Sequence, residues 1–297
     1  MGLRHPDVPT FPEFWAFPGG GVSKEDTEYA KKRSGQGDDI QSMESLVTLF
    51  REVVEETGLS KNEEGDWVIV PPHVRKKLIE GPGAWIEALA EGLIHTDTSG
   101  ASLVTERTTP PLAPVRYTNR FYHIHLGEYA PEPEHPPGRS EFTEFKWWDP
   151  EDILEQWRQG TARMAPPQVT FMRDIVDRCR EGRGILEILS DLAGKPPMGA
   201  HKIEFAPGVE CLPIPTATLP PATHTNCFII GQGDELLLVD PAIQDGEGQA
   251  IIVERLNELE SNSKRIKSIL YTHRHTCLLY TSPSPRDATL SRMPSSA

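Results

Sequence analysis

The stretch REVVEETGL, Arg51 to Leu59, sets Glu52, Glu55 and Glu56 at i, i+3 and i+4, with Arg51 directly before them. On a helix these three carboxylates share one face, while Val53 and Val54 turn toward a core. Like charges held that closely repel. A hard divalent cation such as Mg²⁺ or Mn²⁺, which prefers oxygen ligands, would relieve the repulsion. For the nonapeptide alone, a solvated acidic face is the plainer alternative.

The elements around the cluster can be read from pattern. Ile40, Met43, Leu46, Val47, Phe50, Val53 and Val54 recur at three- and four-residue spacing, which predicts a helix ending near Thr57. Asp38 or Asp39 is placed to cap its start, and Gly58 to stop it. Upstream, FWAFPGGGVSKED is an aromatic strand-like piece broken by Pro18 and three glycines, where the chain must turn. The polar TEYAKKRSGQGDD between turn and helix reads as a solvated insertion.

Together, PGG at Pro18 to Gly20 and REVVEETGL resemble the Nudix box, G-x5-E-x7-R-E-U-x-E-E-x-G-U with U aliphatic. Its second half matches at Arg51, Glu52, Val53, Glu55, Glu56, Gly58 and Leu59. Asp26 stands where the pattern has its first glutamate, and 24 residues separate it from Arg51 in place of seven. The resemblance spans about residues 11 to 178. The long insertion inside the box is similar to one branch of the family, the coenzyme A diphosphatase-like proteins, and so are the downstream stretches TTPPLAPVRYTNRFYHIHL and EFKWWDPEDIL followed by MAPPQVTFMRDI. It implies catalytic roles for Glu52, Glu55, Glu56 and Arg51. Glu52, Glu55, Glu56 and the Gly20 carbonyl would ligate Mg²⁺ or Mn²⁺, and Arg51 would orient one of the glutamates. The implied reaction is hydrolysis of a pyrophosphate bond in a nucleoside diphosphate linked to another moiety, a small-molecule substrate.

Further candidates surround this motif. Glu141 or Glu144 could act as base in place of a box glutamate. Arg116 and Arg120, on an alternating strand, could receive phosphate charge with Gly19 and Gly20, although two surface arginines are an equal reading. Of Trp147 and Trp148, adjacent on a strand, at most one can line a pocket. His123 and His125 share a strand face and read as a structural pair for want of a third ligand.

Downstream, the pattern predicts a helix over about Pro72 to Glu91, strands in PVRYTNRFYHIHL and EFTEFKWWDP, and helices at about Glu151 to Gln159 and Gln168 to Leu192, the last interrupted near Gly182 and Gly184. AGKPPMGAHKIEFAPG has the proline and glycine content of a boundary. After it, THTNCFIIGQGDELLLVDPA reads as a hairpin, followed by a helix near Gln249 to Leu259 and a buried strand SILYT. The strand leads into THRH. With the hairpin and Asp240, this resembles the start of the metallo-β-lactamase signature T-H-x-H-x-D-H over about residues 203 to 276. The resemblance implies that His273 and His275 are remnants of a Zn²⁺ site, functional only in an intact parent domain. The signature breaks at Cys277 and Leu278, and residues 277–297 resemble sequencing-adapter read-through.

The expected fold class is therefore α/β: a Nudix α/β/α sandwich with a mixed sheet, then an incomplete metallo-β-lactamase-like αββα fragment. The expected domains are 1–197, with an insertion at about 27–43, then 198–276, then a disordered artefactual tail. The short text before Pro18 leaves little room for the strand that usually precedes this turn. A net charge of −14 and the lack of basic runs argue against general nucleic-acid or membrane binding. No apolar run is long enough to span a bilayer. Four scattered cysteines read as reduced thiols in a cytoplasmic protein. The alternative function is a zinc-dependent metallo-β-lactamase-fold hydrolase in the parent, with the Nudix part a non-catalytic binding or regulatory module.

Overall fold

Ser23 and Asp26 fix where the first helix begins. Asp26 N–H donates to Ser23 Oγ and Ser23 N–H to Asp26 Oδ2, a reciprocal capping box that opens α1 (Lys24–Arg33). Acidic Glu25 and Asp26 lie in its first turn, basic Lys31, Lys32 and Arg33 in its last, both favoured by the helix dipole. The expected solvated insertion is thus partly helical. Caps and charge order make a helix where an apolar stripe is missing. The computed structural model describes residues 1–35, 39–95, 100–109, 117–136, 140–194, 203–216, 223–243 and 246–273. Arg116, His275, Cys277 and the tail 277–297 lie outside them.

By internal contacts the chain divides into two units. The first holds Met1–Thr105, Arg120–Asp149 and Ala162–Ala165; the second holds Glu106–Asn119, Pro150–Thr161 and Pro166–Ala297. Helices beyond Pro150 thus group with the C-terminal sheet, whereas the sequence division places them before residue 198.

In the first unit, β1 (Gly2–Arg4) lies between β2 (Trp15–Ala16) and β7 (Phe142–Phe145), antiparallel to both. A strand does therefore precede the glycine turn. The turn leads through α1 to α2 (Ile40–Thr57), capped by the Asp39 side chain on Gln41 N–H and ended by Gly58 at φ 76°. Beyond it come the pair β3 (Leu59–Lys61) and β4 (Trp67–Ile69), α3 (Pro72–Glu80) and α4 (Pro82–Ala90). The single helix expected over 72–91 is broken because Pro82 cannot continue it and forces Gly81 into extended backbone. Phe50 and Val54 of α2 pack with Val70, Val74, Leu78 and Trp85 in one buried cluster. Burial of each such side chain contributes roughly 1.5–3 kcal/mol.

The strands β5 (Ala101–Thr108) and β6 (Thr118–Ile124) pair with each other. The second unit carries α5 (Pro150–Arg158), α6 (Pro166–Arg180), α7 (Ile185–Gly194) and a five-stranded sheet. Its strands are β8 (Ile203–Ala206), β9 (Val209–Pro215), β10 (His224–Ile230), β11 (Glu235–Val239) and β12 (Arg265–Leu270), in the order β12-β11-β10-β9-β8. All neighbours are antiparallel except β11 and β12, joined in parallel through α8 (Gly246–Ser261). The mixed sheet therefore forms here, while the strands of the first unit make smaller sheets. The expected hairpin is β10–β11. Strand β12 is not buried as expected: at the sheet edge, four of its six residues are exposed. Leu212, Ile229, Leu238, Ile252 and Leu259 form the core between sheet and α8.

Candidate functional site

The glycine turn and the end of α2 meet in the first unit. Gly19 N–H donates to Glu56 Oε2 at 2.8 Å, and a Cβ on Gly20 would collide with the Glu52 carboxylate. A larger residue there would push the Glu52 carboxylate off this position. Arg51, 5% exposed, lies at the centre of the acids. Its Nη1 donates to Glu55 Oε2 at 3.0 Å, and its Nη2 reaches Glu52 Oε1 at 2.9 Å and the Gly21 carbonyl at 3.1 Å. Its Nε and Nη2 also grip Asp26, which has no exposed surface and accepts a bond from Thr48 Oγ1. The aspartate at the displaced position thus anchors the arginine and caps α1. Arg51 holds two glutamates, where the resemblance implied one.

Charge does not balance in this pocket. Burial raises Glu52, lifts Glu55 to about 7 and pushes Glu56 well above the usual carboxylate range, with repulsion from Glu52 adding to the last two. Burial would raise Asp26 too, but hydrogen bonds from Arg51 and Ser23 hold it below its ordinary value. The exposed Glu141, salt-bridged to Arg4 at 3.5 Å, lies close enough for its charge to raise Glu52 and Glu56. Glu144 is exposed and pairs with Leu3 in the strand register.

In donor chemistry these residues fit a hard divalent cation: one buried and two half-buried carboxylates, mutually repelling, beside a glycine backbone. Among the described residues, however, no group of three or more His, Cys, Asp or Glu is already arranged as a ligand set. Glu52 and Glu55 are drawn onto Arg51, and Glu56 onto Gly19 N–H.

The raised acids have a measurable consequence. A carboxyl raised from 4.5 to about 7 in the fold, as Glu55 is, favours folding fully below the lower value. That contribution is lost as pH rises through the upper one. With solvent screening at its open edge allowed for, the loss is about 2 kcal/mol. Asp26 has the opposite sign and acts only below its ordinary value of 3.8. The Met1 amine, lowered by burial to about 6, and the lowered His123 act in the opposite sense in this window, so the comparison is with Glu55→Gln: between pH 5 and pH 8 the melting temperature of the EDTA-treated chain is expected to fall relative to that of the variant. Added Mg²⁺ or Mn²⁺ should restore more of it at pH 8 than at pH 5. Parallel profiles for the two proteins with no cation effect would remove the charge imbalance.

Other candidates are placed less centrally. Arg120 Nη1 donates to the Gln41 carbonyl at 2.9 Å and to Ser45 Oγ at 2.7 Å, which ties it to the start of α2. Trp147 is exposed, its indole donating to Glu132 at 2.7 Å, while Trp148 packs edge-on against Trp15. Burial and the neighbouring His125 lower His123. In the second unit Asp240 is buried at φ 50° and accepts from Thr272 N–H and Oγ1. His273 is exposed and its Nδ1 shares a hydrogen bond with Thr272 Oγ1. Sequence reading missed Arg75 of α3, whose guanidinium reaches the carbonyls of Glu55 and Glu56. Burial lowers its pKa to about 10, so it stays charged at neutral pH. No local spacing marks such a contact, since the partners are 19 and 20 residues away.

A solved Nudix hydrolase from Alicyclobacillus acidocaldarius is similar over 67% of this chain and 88% of its own, at 22% identity with a TM-score of 0.52. The fold is Nudix-like. Residues 220–276 match the family model of the metallo-beta-lactamase superfamily. No curated protein matches the chain. Among the described residues no helix is long and apolar enough to cross a membrane.

Proposed function

We propose that the chain is a Mg²⁺- or Mn²⁺-dependent cytoplasmic hydrolase that cleaves the pyrophosphate bond of a nucleoside diphosphate linked to another moiety, in the manner of coenzyme A diphosphatases. One observation carries the reading: Glu52 and Glu56 are gathered, largely buried, against the Gly19–Gly20 turn, and Glu55 is joined to them through Arg51, with an excess of negative charge. Glu52, Glu55, Glu56 and the Gly20 carbonyl would hold the cation. When bound, it supplies neutralisation of phosphate oxygens and a water of lowered pKa. Arg51 keeps Glu52 and Glu55 in place, and Gly19 N–H orients Glu56. Of the two candidate bases outside the motif, Glu141 is favoured because its charge reaches Glu52 and Glu56. Residues 1–197 would form this domain and 198–276 a metallo-β-lactamase-like one. The reading is tested by product release from coenzyme A and nucleotide sugars with Mg²⁺, with Mn²⁺ and with EDTA. Cation-dependent cleavage of one class is expected; none from any substrate would reject it.

The match over residues 220–276 favours a second reading, in which zinc-dependent hydrolysis belongs to the C-terminal part and the Nudix part binds or regulates. That activity would belong to the full-length parent, in whose complete domain His273 and His275 would contribute to the zinc site. Bound zinc in a full-length version, with thioester or phosphodiester cleavage that survives loss of Glu56, would support it.

A further inference from the structure

The end of α2 places acids where a helix dipole favours cations, and its own last turn contains no basic residue. Its terminal carbonyls are nonetheless all engaged. The Val54 carbonyl accepts from Gly58 N–H at 2.9 Å and the Thr57 carbonyl from Glu134 N–H at 2.8 Å. Those of Glu55 and Glu56, the two residues at the centre of the acidic cluster, are taken by Arg75. Its Nη2 donates to the Glu56 carbonyl at 2.6 Å, and its Nε and Nη2 to the Glu55 carbonyl at 3.3 Å. Arg75 is 2% exposed. Its neighbours Val74 and Leu78 pack with Phe50 and Val54 of α2, so the stem is fixed by the same core that fixes the helix. A Cβ on Gly58 would press within 2.8 Å of Arg75 Nη1, so Gly58 both turns the chain and leaves room for the guanidinium.

We infer that Arg75 is a positioning residue: by clamping the backbone of Glu55 and Glu56 it sets where their carboxylates stand relative to the Gly19–Gly20 turn, and so tunes divalent-cation affinity. This role rests on the function proposed above. A lone buried arginine with a purely structural duty would change melting temperature and leave the affinity of the folded protein alone. A clamp changes affinity as well, much as outer partners of metal ligands do, by about 10- to 100-fold.

The test is titration of the full-length chain with Mn²⁺ followed by electron paramagnetic resonance, in parallel with steady-state kinetics and circular dichroism. Arg75→Met, folded by circular dichroism, is expected to raise the Mn²⁺ Kd roughly tenfold or more. It should lower kcat while the KM for the organic substrate stays within about twofold. Arg75→Lys, which keeps the charge but can reach one carbonyl at a time, should recover part of the loss. If Arg75→Met does not fold, Arg75→Lys decides by the same readout, a raised Kd being expected. A wild-type Kd in folded Arg75→Met, or in Arg75→Lys where Arg75→Met does not fold, overturns the clamp while leaving the proposed site intact. Failure of the unaltered chain to bind Mn²⁺ overturns both.

Discussion

Glu56→Gln is expected to reduce cation-dependent pyrophosphate hydrolysis by about 10²- to 10³-fold while leaving the protein folded. The separation of the two effects follows from where Glu56 sits. Burial already drives its carboxyl toward the neutral form, and its contact with the glycine turn is a hydrogen bond accepted from Gly19 N–H. Glutamine has the same shape, can accept that bond and brings no charge into the buried site. The cost of desolvating an anion beside Glu52 disappears, so the melting temperature without cation should hold or rise. What is lost is the negative charge that a divalent cation needs. Activity should therefore fall without loss of stability, the reverse of what a destabilising core substitution does. Measured kcat/KM and melting curves for the two proteins check this, and equal rates would detach Glu56 from the chemistry.

The residues of the proposed site are legible in the sequence because they are local. The i, i+3, i+4 spacing of Glu52, Glu55 and Glu56 and the apolar stripe through Phe50 and Val54 lie on α2, where helical periodicity alone sets the neighbours, and the stop at Gly58 caps it. The hairpin β10–β11 was legible for a similar reason, being two apolar runs around a glycine turn. Less was visible wherever structure depends on distant partners. Strand β1 is three residues long and is held by pairing with β7, some 140 residues away. Strand β8 lies in a stretch whose prolines and glycines read as a boundary, and it is defined by its antiparallel register with β9. Helix α1 has no apolar stripe, and its logic is the capping box and the burial of Asp26 under Arg51. For the site itself, periodicity could bring the acids to one face. It could not show that Asp26 anchors the arginine, nor that Arg75 closes the helix end.

Arg51→Met should be strongly disruptive to the first unit, lowering its stability by about 3–5 kcal/mol. The guanidinium is buried and faces Asp26, Glu52 and Glu55 at once. Burial opposes its charge, yet those three acids raise its pKa above the ordinary arginine value, so the cluster has come to depend on it. Methionine can fill much of the volume but supplies no cation. Asp26 would then be an unpaired buried carboxylate, still obliged to cap α1. Truncating one partner of a buried network costs more than the network's net contribution, because the remaining charges stay desolvated. The pair Arg51→Met with Asp26→Asn is therefore expected to be more stable than Arg51→Met alone, since the asparagine removes the stranded charge and can still accept from Ser23 N–H. Denaturant unfolding of the two single variants and the double variant measures that coupling. Additive losses would mean that the arginine and the aspartate do not stabilise each other, and that Arg51 acts on the cluster through Glu52 and Glu55 instead.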